Sequence, residues 1–297
     1  MRKLKVLLIL VTFAFTNTSS VEAVPSIPPT LKKSVASIFV LDGAGKEYTR
    51  KGTGFFVGVK DAVKQSFDAY FVTAKHVVQK EDKKSFFPEI FLRLNKKEGE
   101  PEFFRLPLIQ DGEERNIFLH EQDSSVDLVV ISALPNQSKY DFLLLPSSMI
   151  AAAKDLSVLK IREGTEVFFL GLFGRYHIGL HTNQPIVRFG KVALVTDEKI
   201  IWGGIETDLF LIECASYEGN SGAPVFYFYH WGAEWPNGGV HAELSTIKLA
   251  GIIKGYIQDA SPDFAYQNIG ISGAIPAQKL HEILFSEELL NKRNAKR

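Results

Sequence analysis

Gly219-Asn220-Ser221-Gly222-Ala223, running on into Pro224-Val225-Phe226, decides how this chain is read. A serine set between two glycines, just before an apolar strand, occupies a sharp turn that lifts its hydroxyl clear of a sheet. Gly219 can take backbone angles that a β-carbon forbids. The turn can therefore aim the N–H groups of Gly219 and Ser221 at one point, where a carbonyl oxygen can become an oxyanion. An ordinary turn serine needs no partners. This one has two.

The first is His76, in Tyr70-Phe71-Val72-Thr73-Ala74-Lys75-His76-Val77-Val78. There a β-prone run ends in a small-residue turn that delivers the histidine at a strand's edge. The second is Asp127, in Ser125-Val126-Asp127-Leu128-Val129-Val130-Ile131, an acid opening a strand that reads as wholly buried. His120, His177, His181, His230, His241 and His281 lack such a setting, and Asp123 does not adjoin the buried run. Serine is a weak nucleophile near neutral pH. It needs a base to take its proton, and the base needs an anion to fix its tautomer and stabilise the imidazolium. The order His, Asp, Ser is that of chymotrypsin-like double barrels, not of subtilisins or α/β-hydrolases. The hydrolase elbow also requires glycine two places after the serine, where this chain has Ala223.

On these residues the chain resembles the bacterial-type trypsin-like serine peptidases, the broad group that includes the HtrA/DegP protease domain. Gly52-Thr53-Gly54-Phe55-Phe56-Val57 is similar to the strand that precedes the catalytic histidine. Thr73–Val77 resembles the histidine motif, Asp127–Val130 the aspartate motif, and Glu213–Pro224 the serine motif. Gly270–Ala277 is similar to the lead into a C-terminal helix. The matches run from about residue 52 to residue 280. Two departures stand out. Ala223 replaces the more usual glycine. Asn220 stands where digestive enzymes have the aspartate that binds a new N-terminal amine, so activation by an inserted N-terminus is not expected. No PDZ-like region follows before Arg297.

The resemblance implies catalytic His76, Asp127 and Ser221, and an oxyanion hole from Gly219 and Ser221. It also implies a substrate pocket walled by Ala215, Ser216, Lys254, Gly255 and Tyr256. Ala215 takes the place of the aspartate that selects Lys or Arg in trypsin, so a small or apolar substrate side chain is expected. Lys254–Tyr256 is also suited to pairing with an extended polypeptide as an added strand. No metal or cofactor is implied.

Residues 1–23 read as a secretory signal. Arg2, Lys3 and Lys5 form a basic start, Val6 to Phe15 an apolar core, and Val21-Glu22-Ala23 a cleavage site. The apolar run is short for a bilayer span, so no membrane anchor is expected once the signal is removed. Beyond it the chain has 31 basic and 33 acidic residues, a balance that does not suggest nucleic acid. The 45% hydrophobic content is enough to fill two barrels. Cys214 is the single cysteine, so no internal disulfide can form. Export without disulfides fits a bacterial periplasmic or secreted protein. Cys214 itself reads as a small buried hydrophobe.

The expected fold is all-β, two six-stranded antiparallel β-barrels with a short C-terminal helix. After an extended arm at 24–33, the first barrel spans 34–140. Its seven candidate strands are Val35–Leu41, Gly54–Val59, Ala69–Thr73, Glu89–Leu94, Glu102–Leu106, Asn116–Leu119 and Leu128–Ser132. A connection at 141–156 leads to the second barrel and helix at 157–285. Its strands are Glu166–Leu170, Ile186–Val195, Leu209–Glu213, Ala223–Tyr229, Leu249–Lys254 and Ile269–Ser272. A helix follows over Ala277–Phe285, and 286–297 is a charged tail. Residues 230–247 read as a surface loop.

The function expected is exported serine endopeptidase activity on a polypeptide substrate, through an acyl-enzyme. The competing class is a binding protein that keeps the barrels without turnover, and esterase activity would be incidental. The sequence leaves the oligomeric state open.

Overall fold

Leu128, Val129, Val130 and Ile131 are all fully buried, which a strand covered on one face cannot achieve. Their directions alternate. Leu128 and Val130 join a core shared by two sheets, while Val129 and Ile131 join a core inside the first sheet. The same alternation places Phe55 and Val57 in the shared core and Phe56 in the first. In the second sheet it places Phe168 in the shared core, and Val167 and Phe169 inside their own sheet. Strands with apolar residues at both parities require two curled sheets packed against each other, and this chain has them.

The computed structural model describes residues 27–42, 45, 47–61, 65–82, 84–109, 116–152, 155, 157, 161–172, 181–228, 247–261 and 264–295. The first sheet contains β1 (Val35–Leu41), β2 (Tyr48–Asp61), β3 (Ser66–Ala74), β4 (Glu89–Leu94), β5 (Glu102–Pro107), β6 (Ile117–Phe118) and β7 (Leu128–Ser132). They lie in the order β5-β4-β1-β2-β3-β7-β6, and β8 (Leu145–Pro146) pairs in parallel with β2. A single turn of helix, α1 (Lys75–Val78), follows β3.

The second sheet is a closed barrel, β10-β13-β16-β15-β14-β9. Its strands are β9 (Glu166–Gly171), β10 (Ile186–Leu194), β13 (Phe210–Glu213), β14 (Pro224–Phe228), β15 (Ile247–Ser261) and β16 (Phe264–Pro276). A small hairpin, β11 (Ile200–Trp202) with β12 (Ile205–Thr207), leaves the barrel between β10 and β13. Two helices end the described chain, α2 (Ala277–Leu284) and α3 (Glu287–Ala295).

The chymotrypsin-like double-barrel expectation holds, with one difference of count. Among the described residues the first sheet has eight strands and is open between β5 and β6. The Asn116 side-chain amide bridges that gap by donating to the Pro107 carbonyl at 3.2 Å. Three boundaries also change. Pro29–Ser34 is a short 3-10 helix rather than an extended arm, because Pro29 suits a first helical position and Leu31 enters the shared core. Within the connection at 141–156, Leu145–Pro146 belongs to the first sheet. The charged tail is helical from Glu287 to Ala295. Leu289 is fully buried, and Arg293 packs over the Tyr70 and Phe285 rings and donates to the Tyr70 hydroxyl. The signal, residues 24–26 of the arm and residues 230–246 of the loop expected at 230–247 lie outside the described residues, and Ile247 opens β15. Among the described residues no helix is long and apolar enough to cross a membrane.

Leu289 and Leu290 provide an internal control for the tail. Leu289→Ala is expected to lower the free energy of urea unfolding by about 2–4 kcal/mol. Leu290→Ala, at a position 42% exposed, should change it by about 0.5 kcal/mol or less. Equal effects would contradict the packing of α3.

Candidate active site

Strand register brings His76 to Asp127. β3 pairs with β7 so that Ala74 faces Leu128. The residue after each strand end or before each strand start is thereby held beside its counterpart. α1 then turns His76 back over the pair. The Lys75 N–H donates to the Asp127 carbonyl at 3.1 Å, and the His76 N–H donates to Asp127 Oδ1 at 2.9 Å. The imidazole Nδ1 meets Asp127 Oδ2 at 2.7 Å. The Asp127 side chain is 10% exposed and the His76 ring 43%. An anion is thus buried at one edge of a ring whose other edge is open.

Ser221 lies on the turn between β13 and β14, gripped by both sheets. The Thr53 N–H on β2 donates to the Ser221 carbonyl at 2.9 Å, and the Gly222 N–H donates to the Ile253 carbonyl on β15 at 2.8 Å. The Thr53 hydroxyl donates to the Gly219 carbonyl at 2.6 Å. Gly219 and Gly222 have φ of +89° and +86°, a region that favours glycine. A Cβ on Gly222 would overlap the Thr53 carbonyl oxygen and the Thr73 hydroxyl. Asn220 is buried and acts as a brace. Its Oδ1 accepts from the Tyr217 N–H at 3.0 Å and its Nδ2 donates to the Leu172 carbonyl at 3.2 Å. Beneath the turn, Arg50 Nη2 donates to the carbonyls of Leu172 and Gly219, and burial pulls the guanidinium pKa down to about 10.

The Ser221 hydroxyl donates to the Lys254 carbonyl at 3.1 Å. A hydroxyl has one proton to give, so in this conformation that proton is not directed at His76. Lys254 also contributes its side chain. Its ammonium donates to Asp127 Oδ2 at 2.9 Å, and the side chain as a whole is 13% exposed. Burial pushes the Asp127 carboxyl up, but the hydrogen bond and charge of His76, with those of Lys254, outweigh it. The group sits well below the ordinary carboxylate range.

The expected pocket residues also come together. Ser216 is fully buried, with its carbonyl accepting from Asn268 Nδ2 at 2.5 Å and its Oγ 2.8 Å from Ser272 Oγ. Ser272 Oγ also reaches the Cys214 carbonyl at 2.7 Å. Ala215 precedes this cluster and is half-buried. Gly255 and Tyr256 lie opposite Gly273 and Ser272 in the β15–β16 ladder. The Ser216 and Ser272 side chains are both fully buried behind the ladder. Cys214 is buried nearby, its thiol pKa raised by burial.

Two participants were not anticipated. The Lys254 side chain turns to the Asp127 carboxylate rather than to the expected pocket. Trp202 lays its ring over Gly255 and Gly273, 3.5 and 2.8 Å from where their Cβ atoms would stand. Gly203-Gly204, between Ile200-Ile201-Trp202 and Ile205-Glu206-Thr207, is the turn signal that marks the Trp202 hairpin.

Gly222→Ala combines a positive φ with overlap, so a loss of about 3 kcal/mol or more in urea unfolding is expected. An unchanged midpoint would contradict the turn geometry. Asp127 makes stability depend on acid. Its folded pKa is depressed, so its contribution is complete above its unfolded value of about 4 and is lost as pH falls from there towards the folded value. Between about pH 5 and pH 3 the unchanged chain should lose more stability than Asp127→Asn, as read by urea titrations across that window.

Residues 52–231 match the profile of the family described as trypsin-like peptidase domain. No curated protein sequence matches the chain. Among solved structures, the apo protease domain of MamO from Magnetospirillum magneticum matches with a TM-score of 0.49 and 18% identity. That match covers 85% of this chain and 96% of the other. A likeness that loose adds nothing to the site.

Proposed function

The chain belongs to the trypsin-like peptidase domain family, and from that premise we propose that it is an exported serine endopeptidase using His76, Asp127 and Ser221. The observation that carries the proposal is the His76–Asp127 contact. Nδ1 is bound to a buried carboxylate at 2.7 Å while the same carboxylate takes the His76 backbone N–H. That fixes the tautomer with Nε2 free to accept a proton.

The mechanism follows from these residues. An extended polypeptide pairs with the edge at Lys254–Tyr256 as an added strand. A substrate N–H then occupies the Lys254 carbonyl, and the Ser221 hydroxyl, displaced from it, turns to His76. His76 removes the proton as Oγ attacks the scissile carbonyl. The amides of Gly219 and Ser221 receive the oxyanion. His76, now protonated and held by Asp127, passes the proton to the leaving amine. Water, deprotonated by His76 in turn, hydrolyses the acyl-enzyme. With Ala215 where an acid would select Lys or Arg, a small or apolar side chain is favoured.

A second reading has one observation in its favour. With the Ser221 proton on the Lys254 carbonyl and the Lys254 ammonium on Asp127, the site is occupied by its own groups. That suits a protease-fold binding protein without turnover. Casein digestion separates the two. Endopeptidase activity should fall by about three orders of magnitude or more in Ser221→Ala. A binding protein shows no digestion by either chain, with both folded. On a peptide library, cleavage should follow small or apolar residues. Strict cleavage after Arg or Lys would falsify the pocket assignment.

A further inference from the structure

Lys254 Nζ and His76 Nδ1 meet the same carboxylate oxygen, Asp127 Oδ2, at 2.9 and 2.7 Å. The shared oxygen has two consequences. A second donor fixes the Asp127 rotamer more firmly than the histidine alone. The ammonium also places a positive charge close to the ring that must itself become a cation, and like charges disfavour each other's charged forms. With its side chain 13% exposed, the ammonium is poorly screened by salt. A peptidase base works only while its ring is neutral at the start of the cycle. A neighbouring cation therefore extends the working range towards acid and weakens the ring as a proton acceptor.

We infer that Lys254 is a positioning residue that orients Asp127 and, by its charge, lowers the basicity of His76. The inference rests on the reading of His76 as the base, and it concerns this lysine alone. Its backbone and its side chain have separate tasks. The carbonyl holds the Ser221 hydroxyl and the ammonium holds Asp127. A substitution that changes only the side chain leaves the first intact.

Other charges around the ring are spoken for. Lys75, on α1, sends its ammonium to the Ser124 carbonyl at 2.7 Å, and burial lowers its pKa against the pull of Asp127. On β2, Arg50 lies beneath Gly219, and Lys51 sits over the Phe87 ring. The β3 acid, Asp68, is near the start of its strand, away from α1. Asp123, before β7, is bound by Lys199 at 2.8 Å. On β15, Lys248 donates to the Ser148 carbonyl. Among the described residues, Lys254 is the lysine or arginine bonded to the Asp127 carboxylate.

The test follows the His76 Cε1–H resonance by NMR from about pH 4 to about pH 9, assigned by its loss in His76→Ala. In Lys254→Met the titration midpoint should rise by about one unit, and in Lys254→Arg it should stay within about 0.3. Lys254→Gln keeps a donor to Asp127 and removes the charge, so it should rise like Met. It serves as the readout if the apolar substitution prevents folding. A midpoint unchanged in the folded neutral variants, or moved equally by Arg, would overturn the inference and leave Lys254 a structural ion pair. No turnover is needed for this reading. A ring that shifts as expected beside a Ser221 that never labels with a fluorophosphonate supports the inference and overturns the peptidase proposal instead.

Discussion

The register between β3 and β7 is the constraint on which the rest depends. With Ala74 opposite Leu128, the chain before β7 and the chain after β3 meet at one end of the sheet. Two backbone contacts then lock them, from the Lys75 and His76 N–H groups to Asp127. A slip of one residue would turn every side chain of β7 to the opposite face. It would move Leu128 and Val130 out of the shared core and Asp127 away from the ring. Burial of β7 on both faces is therefore what sets the geometry of the His–Asp pair. The hydrophobic cores and the chemistry are specified by the same five residues.

Ser221 answers to a different constraint. Its turn is anchored at one end to the first sheet, through Thr53, and at the other to β15, through Ile253. The place of the serine relative to the first sheet is thereby set by the packing of one sheet on the other, with Leu280, Ile283 and Leu284 of α2 completing the core between them. Asn220 reinforces this from within. Its amide bonds to Tyr217 and Leu172 supply by hydrogen bonding the brace that an ion pair supplies in zymogen-derived enzymes. Arg50 lies beneath the turn, and among the described residues its Nε and Nη1 have no hydrogen-bond partner. That is a costly group to keep buried, and its contacts are with the two carbonyls that flank the loop.

Much of this was legible in the sequence. Thirteen strand segments announced themselves because barrel strands alternate or run apolar, and each is present, with ends moved by as many as seven residues in the long β15. Gly219, Gly222, His76 and Asp127 were legible because turns and strand ends have strong local signals. What escaped depended on tertiary contact. Lys254 reads as a charge beside a pocket, since nothing nearby in sequence says that its ammonium will find a carboxylate 127 residues away. The tail from Glu287 reads as charged because only Leu289 and Arg293 are drawn inward, too few for a periodic pattern. The opening between β5 and β6 depends on pairing between distant segments and is likewise invisible locally.

The proposed chemistry stands or falls on whether Ser221 is an activated nucleophile in this fold. Reaction with a fluorophosphonate, followed by peptide mass spectrometry, tests it most directly because the reagent needs no knowledge of the substrate. A single adduct on Ser221 is expected, lost in His76→Ala while the protein remains folded. A folded chain that stays unmodified, or an adduct on another residue that persists without His76, would contradict it.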